Sequence, residues 1–328
     1  MKAVYIKTFG GPENLEIKEV PDPPKPTGSQ VLVRVRAAGL NRADLLQRRG
    51  HYPPPPGYSP NLPGLEFAGE IIEIDEAVGG WKTGDRVFGI TAGEAQAEML
   101  LIESDLLARI PDNLSFVEAA AIPEAFITAH DAVFTQGELK SGETLLVHAV
   151  GSGVGLAAIQ LAKAIGAKTV GTSRTANKLE RSREFGLDEA ILTGGSAEFS
   201  TILKTKTEGR GVDVILDLVG AAYFRENLES LAAKGRLMLV GLTSGTLSEI
   251  DLAVALRKRL RIIGTVLRGR SIEEKAEATR RFSEEVVPLL ASGTVRPNID
   301  KVYPAESVGE AHAYLESNKS FGKVILEF

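Results

Sequence analysis

Val31, Val33 and Val35 alternate with Leu32, Arg34 and Arg36, the two-residue period of a half-buried strand. The segments AGEIIEID, DRVFGIT and AEMLLIES continue that style and are parted by Gly84-Asp85 and similar turns. Up to about residue 110 the chain therefore reads as short strands. Pro53 to Pro56 must be extended, because proline fixes φ and keeps its predecessor out of the helical region. A rigid surface loop is expected there.

From about residue 115 the period lengthens. An Ala-rich helical stretch, FVEAAAIPEAFITAHDAVF, leads to a strand, TLLVHAV, and a Gly-rich turn. Helices GLAAIQLAKAIGA, ANKLERSREFG, AEFSTILKTKTEG and YFRENLESLAAKG then alternate with strands KTVGTS, EAILT, VDVILDLV, RLMLVG and finally RIIGTVL. These strands are near-continuous apolar runs, as expected when helices cover both faces of a parallel sheet. The pattern predicts a doubly wound α/β domain. A long helix from Ser271, a strand NIDKVYP, a helix SVGEAHAYLES and a strand GKVILEF complete the chain. The α/β domain is expected over 124–267, with a second, β-rich domain built from both flanks, 1–123 and 268–328.

The chain has 328 residues with no Cys and a net charge of −5. That composition excludes disulfides, a thiolate nucleophile and a cysteine-based zinc site, and it argues against a broad nucleic-acid-binding surface. The 4 His (His51, His130, His148, His312) are scattered, so no metal site is expected. No apolar run is long enough to span a bilayer, and MKAVYIKTFGG has no signal-peptide centre. The cytoplasm is the expected compartment, with no membrane partner and no specific nucleic acid.

The chemistry concentrates in HAVGSGVGLAAIQLAK, His148 to Lys163. Gly151, Gly153 and Gly155 lie between a strand and an amphipathic helix, where a pyrophosphate meets exposed backbone N–H groups at the positive helix end. The run departs from G-x-G-x-x-G, because Leu156 stands where the third glycine belongs. About 20 residues further on, where an NAD-binding unit carries Asp or Glu, the chain reads Gly171-Thr172-Ser173-Arg174 with Lys178 beyond. A hydroxyl, a guanidinium and an ammonium there suit a 2′-phosphate, so NADPH is the expected cofactor.

The segments AAGLNRADLLQRRGHYPPPP, PGLEFAGEI, GDRVFG, HAVGSGVGLAAIQLAKAIGA, VILDLVG and SFGKVILEF together resemble zeta-crystallin-like quinone oxidoreductases, zinc-free members of the medium-chain dehydrogenase/reductase superfamily. The likeness is strongest to the tumour-suppressor-inducible quinone oxidoreductase branch. It implies a GroES-like catalytic domain beside the Rossmann domain and a homodimer joined through the edge strand RIIGTVL. The glycine turn is similar to the family's A-x-x-G-x-x-G form, with Ala149, Ser152 (in place of the middle glycine) and Gly155; Val154 completes it. Zinc-dependent relatives carry Cys where Asn41 stands, and G-H-E where this chain has Gly64-Leu65-Glu66, which leaves Glu66 a structural role. The resemblance implies that Asn41 and Tyr52 line the acceptor cleft, and that Thr128, Val240, Gly241 and Leu267 lie near the nicotinamide. Asn318 and Lys323 are implied to fold back beside the cofactor. Some members present a Tyr toward the 2′-phosphate where this chain has Thr193.

What the resemblance implies is hydride transfer from NADPH to a quinone without a metal. A quinone accepts hydride readily, so the protein mainly has to hold it against the nicotinamide. Asn41 has a second reading as a helix cap, and Tyr52 as a brace for the Pro loop. Two other functions stay open on the sequence: an NADPH-dependent 2-enoyl thioester reductase, with Tyr52 as proton donor, and a non-catalytic NADPH-binding protein of the crystallin or RNA-binding kind.

Overall fold

The structure is a computed structural model and describes residues 1–328. The chain packs as two compact units, Met1–Ile127 with Leu267–Phe328, and Thr128–Val266. Residues 124–127 and Leu267, which the pattern alone assigns to the central domain, pack with the first unit.

In chain order the first stretch contains β1 (Lys2–Ile6), β2 (Leu15–Glu19), β3 (Gln30–Leu40) and helix α1 (Arg42–Arg48). Then come β4 (Glu66–Ile74), β5 (Arg86–Ile90), β6 (Met99–Glu103), β7 (Leu107–Arg109), α2 (Phe116–Ala119) and α3 (Pro123–His130). The middle stretch runs β8 (Thr144–Val147), α4 (Gly153–Ala164), β9 (Lys168–Ser173), α5 (Ala176–Ser182), β10 (Glu189–Leu192) and α6 (Ser200–Lys206). It continues through β11 (Val212–Asp217), α7 (Phe224–Ser230), β12 (Leu231–Leu239), α8 (Leu252–Lys258) and β13 (Arg261–Gly264). The tail adds α9 (Ile272–Glu285), α10 (Val287–Ala291), β14 (Ile299–Pro304), α11 (Val308–Glu316) and β15 (Lys323–Glu327). No helix is long and apolar enough to cross a membrane.

The first unit is organised by a seven-stranded sheet, β14-β15-β3-β4-β5-β7, with β6 also paired to β3. Except for the β14–β15 pair, the pairings are antiparallel. Val31, Val33 and Val35 point into a core with Phe67, Ile71, Val87 and Leu100, while Arg34 faces out. Leu32, on the face of Arg34, is buried as well. A second apolar cluster joins Leu40 and Leu45 to Leu315, Val324 and Leu326. The residues that follow β3 are thereby held against the tail.

The second unit carries a six-stranded sheet in the order β10-β9-β8-β11-β12-β13, and every pairing is parallel. This is the doubly wound order 3-2-1-4-5-6, whose switch point lies between β8 and β11. Ligands of such sheets sit at the carboxyl ends of the strands beside that point. Three local readings differ from the sequence pattern. The helical run before β8 is broken into α2, α3 and a π-helical turn over Asp131–Gln136. LAAKG, expected as the end of a helix, instead opens β12, where Leu231 pairs with Val212 before a register shift. LAVALRK forms α8, capped by Asp251, whose side chain accepts from the Ala253 N–H.

Candidate functional site

In the second unit, β8 ends at Val147 and the chain turns through Ala149 and Gly151 into α4. Ala149 sits in the left-handed region at φ 49, an uncommon place for a residue with a Cβ, so the turn is locally constrained. Ser152 caps the helix: its Oγ accepts from the Gly155 N–H at 3.1 Å. A Cβ on Gly155 would lie 2.6 Å from the Val150 carbonyl oxygen, so only glycine lets α4 start this close to the turn. Gly153 and Val154 are half-buried, in the first turn of α4. The backbone N–H groups at this end of α4 are what a pyrophosphate requires.

Ser173 and Arg174 follow directly at the carboxyl end of β9, and Lys178 lies in the first turn of α5. Ser173 is buried and its Oγ accepts from the Thr175 N–H at 3.2 Å, whereas Arg174 is exposed. The first turn of α5 holds no acidic residue. Val240 and Gly241 leave the carboxyl end of β12, and both N–H groups donate to the Asp217 carbonyl, at 3.0 and 3.1 Å. Ala149 to Gly155, Ser173, Arg174, Val240 and Gly241 are thus gathered at one end of one sheet. Thr128, on α3, is buried. Thr193, which stands where some relatives have Tyr, accepts from the Tyr223 hydroxyl at 3.1 Å.

Beneath the turn lies a buried polar chain. His148 bonds Thr172 Oγ1 at 2.9 Å and Asn227 Oδ1 at 2.6 Å; Asn227 in turn donates to Asp217 Oδ2 at 2.9 Å. Burial holds the imidazole pKa below its ordinary value. A neutral, fully bonded ring wedged between Phe199 and Tyr223 fixes the strand ends that carry the turn.

In the first unit, Asn41 occupies the N-cap position of α1 in a capping box with Asp44, and its side chain makes no direct cap hydrogen bond. The cap is closed by Asp44, whose Oδ2 accepts from the Asn41 N–H at 2.7 Å. The Asn41 amide turns toward the sheet, donating to Glu66 Oε1 at 2.8 Å and accepting from Lys323 Nζ at 2.7 Å. Lys323 also donates to Glu66 Oε1 at 2.5 Å and to the Leu40 carbonyl at 3.0 Å. A Cβ on Gly39 would collide with the Glu66 carboxylate, so the glycine makes room for it. Glu66 and Lys323 are buried, and the second carboxylate oxygen of Glu66 accepts from the Glu124 N–H at 2.8 Å. The pKa of the half-buried Glu124 carboxyl is pushed up to about 8 by burial and by the neighbouring Glu66 charge. Asp44 is raised to about 6, also chiefly by burial.

Tyr52 lies on the irregular stretch after α1, before Pro53–Pro56. Its carbonyl accepts from Arg268 Nη1 at 2.9 Å, and its ring lies under that guanidinium, 4.9 Å from the ring centre. Burial raises the phenol's pKa, and Arg268 opposes the rise. Leu267 is buried beside Arg268 in sequence. Asn318 is exposed, left-handed at φ 61, and accepts from Arg42 at 2.6 Å. The structure therefore joins Asn41 directly to Lys323, and holds Tyr52 through Arg268. Arg268, Glu124 and Asp44 escape a reading of the sequence. The only trace they leave is a lone charge in an apolar or helix-opening stretch.

A zinc ion does not fit this set of donors. The chain has no Cys, Leu65 offers no ligand atom, and the oxygens of Asn41 and Glu66 already hold an ammonium.

Residues 27–130 match the alcohol dehydrogenase GroES-like domain, and residues 153–284 match the zinc-binding dehydrogenase family. The quinone oxidoreductase of Lama guanicoe is 34% identical over 99% of this chain and 97% of its own. The chain belongs to the quinone oxidoreductase family of the medium-chain dehydrogenase/reductase superfamily. Among solved structures, Escherichia coli quinone oxidoreductase complexed with NADPH superposes with a TM-score of 0.89 at 31% identity, covering 100% of both chains. A protein described as an NAD-dependent alcohol dehydrogenase gives a TM-score of 0.88 at 31% identity, again over 100% of both.

Proposed function

We propose that this oxidoreductase transfers hydride from NADPH to a quinone without a metal. The observation that carries the reading is the Lys323 ammonium bound to Asn41 and Glu66, a fixed cation where zinc-dependent relatives place ligands. Lewis-acid activation of an alcohol needs an open metal position, and these residues do not leave one. A quinone needs no such activation.

NADPH fits the residues of the second unit. The amides of Gly151, Gly153 and Val154 would hold the pyrophosphate, and Ser173, Arg174 and Lys178 the 2′-phosphate. Thr128, Val240 and Gly241 of the same unit are assigned to the nicotinamide side. When bound, the cofactor supplies the hydride. Asn41 and Tyr52 line the acceptor side; the Tyr52 hydroxyl donates to a quinone oxygen as negative charge develops there, and the resulting hydroquinone anion takes its proton from water. Exposed Ile262 on the β13 edge, with Val266 just beyond it, would pack against a second copy, which would hide an otherwise open strand.

NADPH oxidation measured with a panel of quinones and with crotonyl-CoA, with and without a strong chelator, tests this reading. The expected result is chelator-resistant turnover with quinones only. Turnover with crotonyl-CoA alone identifies an enoyl thioester reductase, and no turnover identifies a nucleotide-binding protein.

A further inference from the structure

Arg268 is buried, and each arm of its guanidinium is committed. Nε donates to the Ala92 carbonyl at 2.7 Å, Nη1 to the Tyr52 carbonyl at 2.9 Å and Nη2 to Gln47 Oε1 at 2.5 Å. Gln47, in the last turns of α1, passes the restraint on: its Nε2 donates to the carbonyls of Pro60 and Leu62 at 3.1 and 3.4 Å. One side chain from the returning tail thus fixes both ends of the stretch that carries Tyr52.

The local sequence explains why a cation is used. Four consecutive prolines, Pro53 to Pro56, have no N–H to donate, so this stretch is held through its carbonyls and side chains. A buried guanidinium is a costly way to hold a loop, because taking a charge out of water is unfavourable and a neutral amide would serve. What a neutral donor does not supply is positive charge over the Tyr52 ring, 4.9 Å from its centre.

We propose that Arg268 is a positioning residue for the reaction: it fixes the plane of the Tyr52 ring and favours the O–H polarised toward the acceptor oxygen. This rests on the reading of Tyr52 as hydrogen-bond donor to the quinone. Arg268 acts only through Tyr52, so its loss matters where the phenol is present and matters little where it is absent.

The test is a double-mutant cycle on NADPH-dependent reduction of 1,4-naphthoquinone, using Arg268→Gln, Arg268→Lys and Tyr52→Phe singly and combined. Arg268→Gln is expected to lower kcat about tenfold with the KM for NADPH unchanged, and Arg268→Lys to lower it less. In the Tyr52→Phe background the same substitutions should cost less than about threefold. The near-ultraviolet titration of the phenol, taken as wild type minus Tyr52→Phe, should move to higher pH in Arg268→Gln. If the loss is the same with and without the phenol, or the titration does not move, the positioning role is overturned while the reading of Tyr52 stands. If Tyr52→Phe alone leaves kcat unchanged, the reading of Tyr52 fails and the proposal falls with it. Should Arg268→Gln not fold, Arg268→Met, which also removes the charge at similar length, carries both comparisons.

Discussion

Lys323 and Glu66 stand 257 positions apart in sequence, yet their charged ends meet at 2.5 Å across β3, which separates β15 from β4. Both are buried, so neither charge has water to fall back on. Lys323→Met should leave Glu66 uncompensated and cost about 3–5 kcal/mol of stability. Adding Glu66→Gln should return part of that loss. Urea denaturation of the two single variants and the double variant checks this, and strictly additive losses would contradict the pairing.

The raised pKa of Glu124 gives stability a definite pH dependence. A carboxyl that holds its proton more tightly when folded stabilises the native state fully below its unfolded value of 4.5. That contribution is lost progressively as pH rises toward about 8. Glu124→Gln keeps the neutral form at every pH. Its stability relative to wild type should therefore improve on going from about pH 5 to about pH 8, by an amount on the order of a few kcal/mol. Thermal melts of the cofactor-free proteins across that range would show it; a flat difference would refute it.

Exposed Arg174 is expected to pair with the 2′-phosphate. Arg174→Ala should raise the KM for NADPH about tenfold, the equivalent of a charge-assisted contact of roughly 1.5 kcal/mol. The KM for NADH should not change. Steady-state kinetics with both cofactors decides the matter, and an equal effect on the two would remove Arg174 from the phosphate site.

Tyr52→Phe separates two chemistries. With a quinone it deletes one transition-state hydrogen bond and should lower kcat about tenfold. An enoyl thioester requires a proton delivered to carbon, and the same change would cost about a hundredfold or more. A hundredfold loss with a quinone, with NADPH affinity intact, would mean that the phenol is an essential acid.

How much of this could be read in advance follows from how far apart the interacting residues are. The Ser152–Gly155 turn, the parallel strands and the basic end of β9 are local patterns, and the sequence shows them directly. Leu252–Lys258 is also local, but both of its leucines, Leu252 and Leu256, are exposed, so no clean apolar stripe marks the helix. The first-unit site is different in kind. Asn41 could be noticed for the Cys it replaces and Glu66 for the motif it belongs to. The contacts that hold them come from Lys323 in β15, and the hold on Tyr52 comes from Arg268 in the returning tail. Such pairings are specified by sheet order and packing, which no window of sequence displays.

The placement of β15 bears on how the protein is made. β8 to β13 form an unbroken run, so a nascent chain can complete that sheet while the ribosome is still translating the tail. The other sheet cannot close so early: residues 37–40 of β3 pair with residues 324–327 of β15, and their edge stays open until these have been made. Lys323 arrives in the same stretch, so until then Glu66 is a carboxylate without its counter-charge. The nucleotide side should accordingly become protease-resistant on stalled ribosomes well before the acceptor side does.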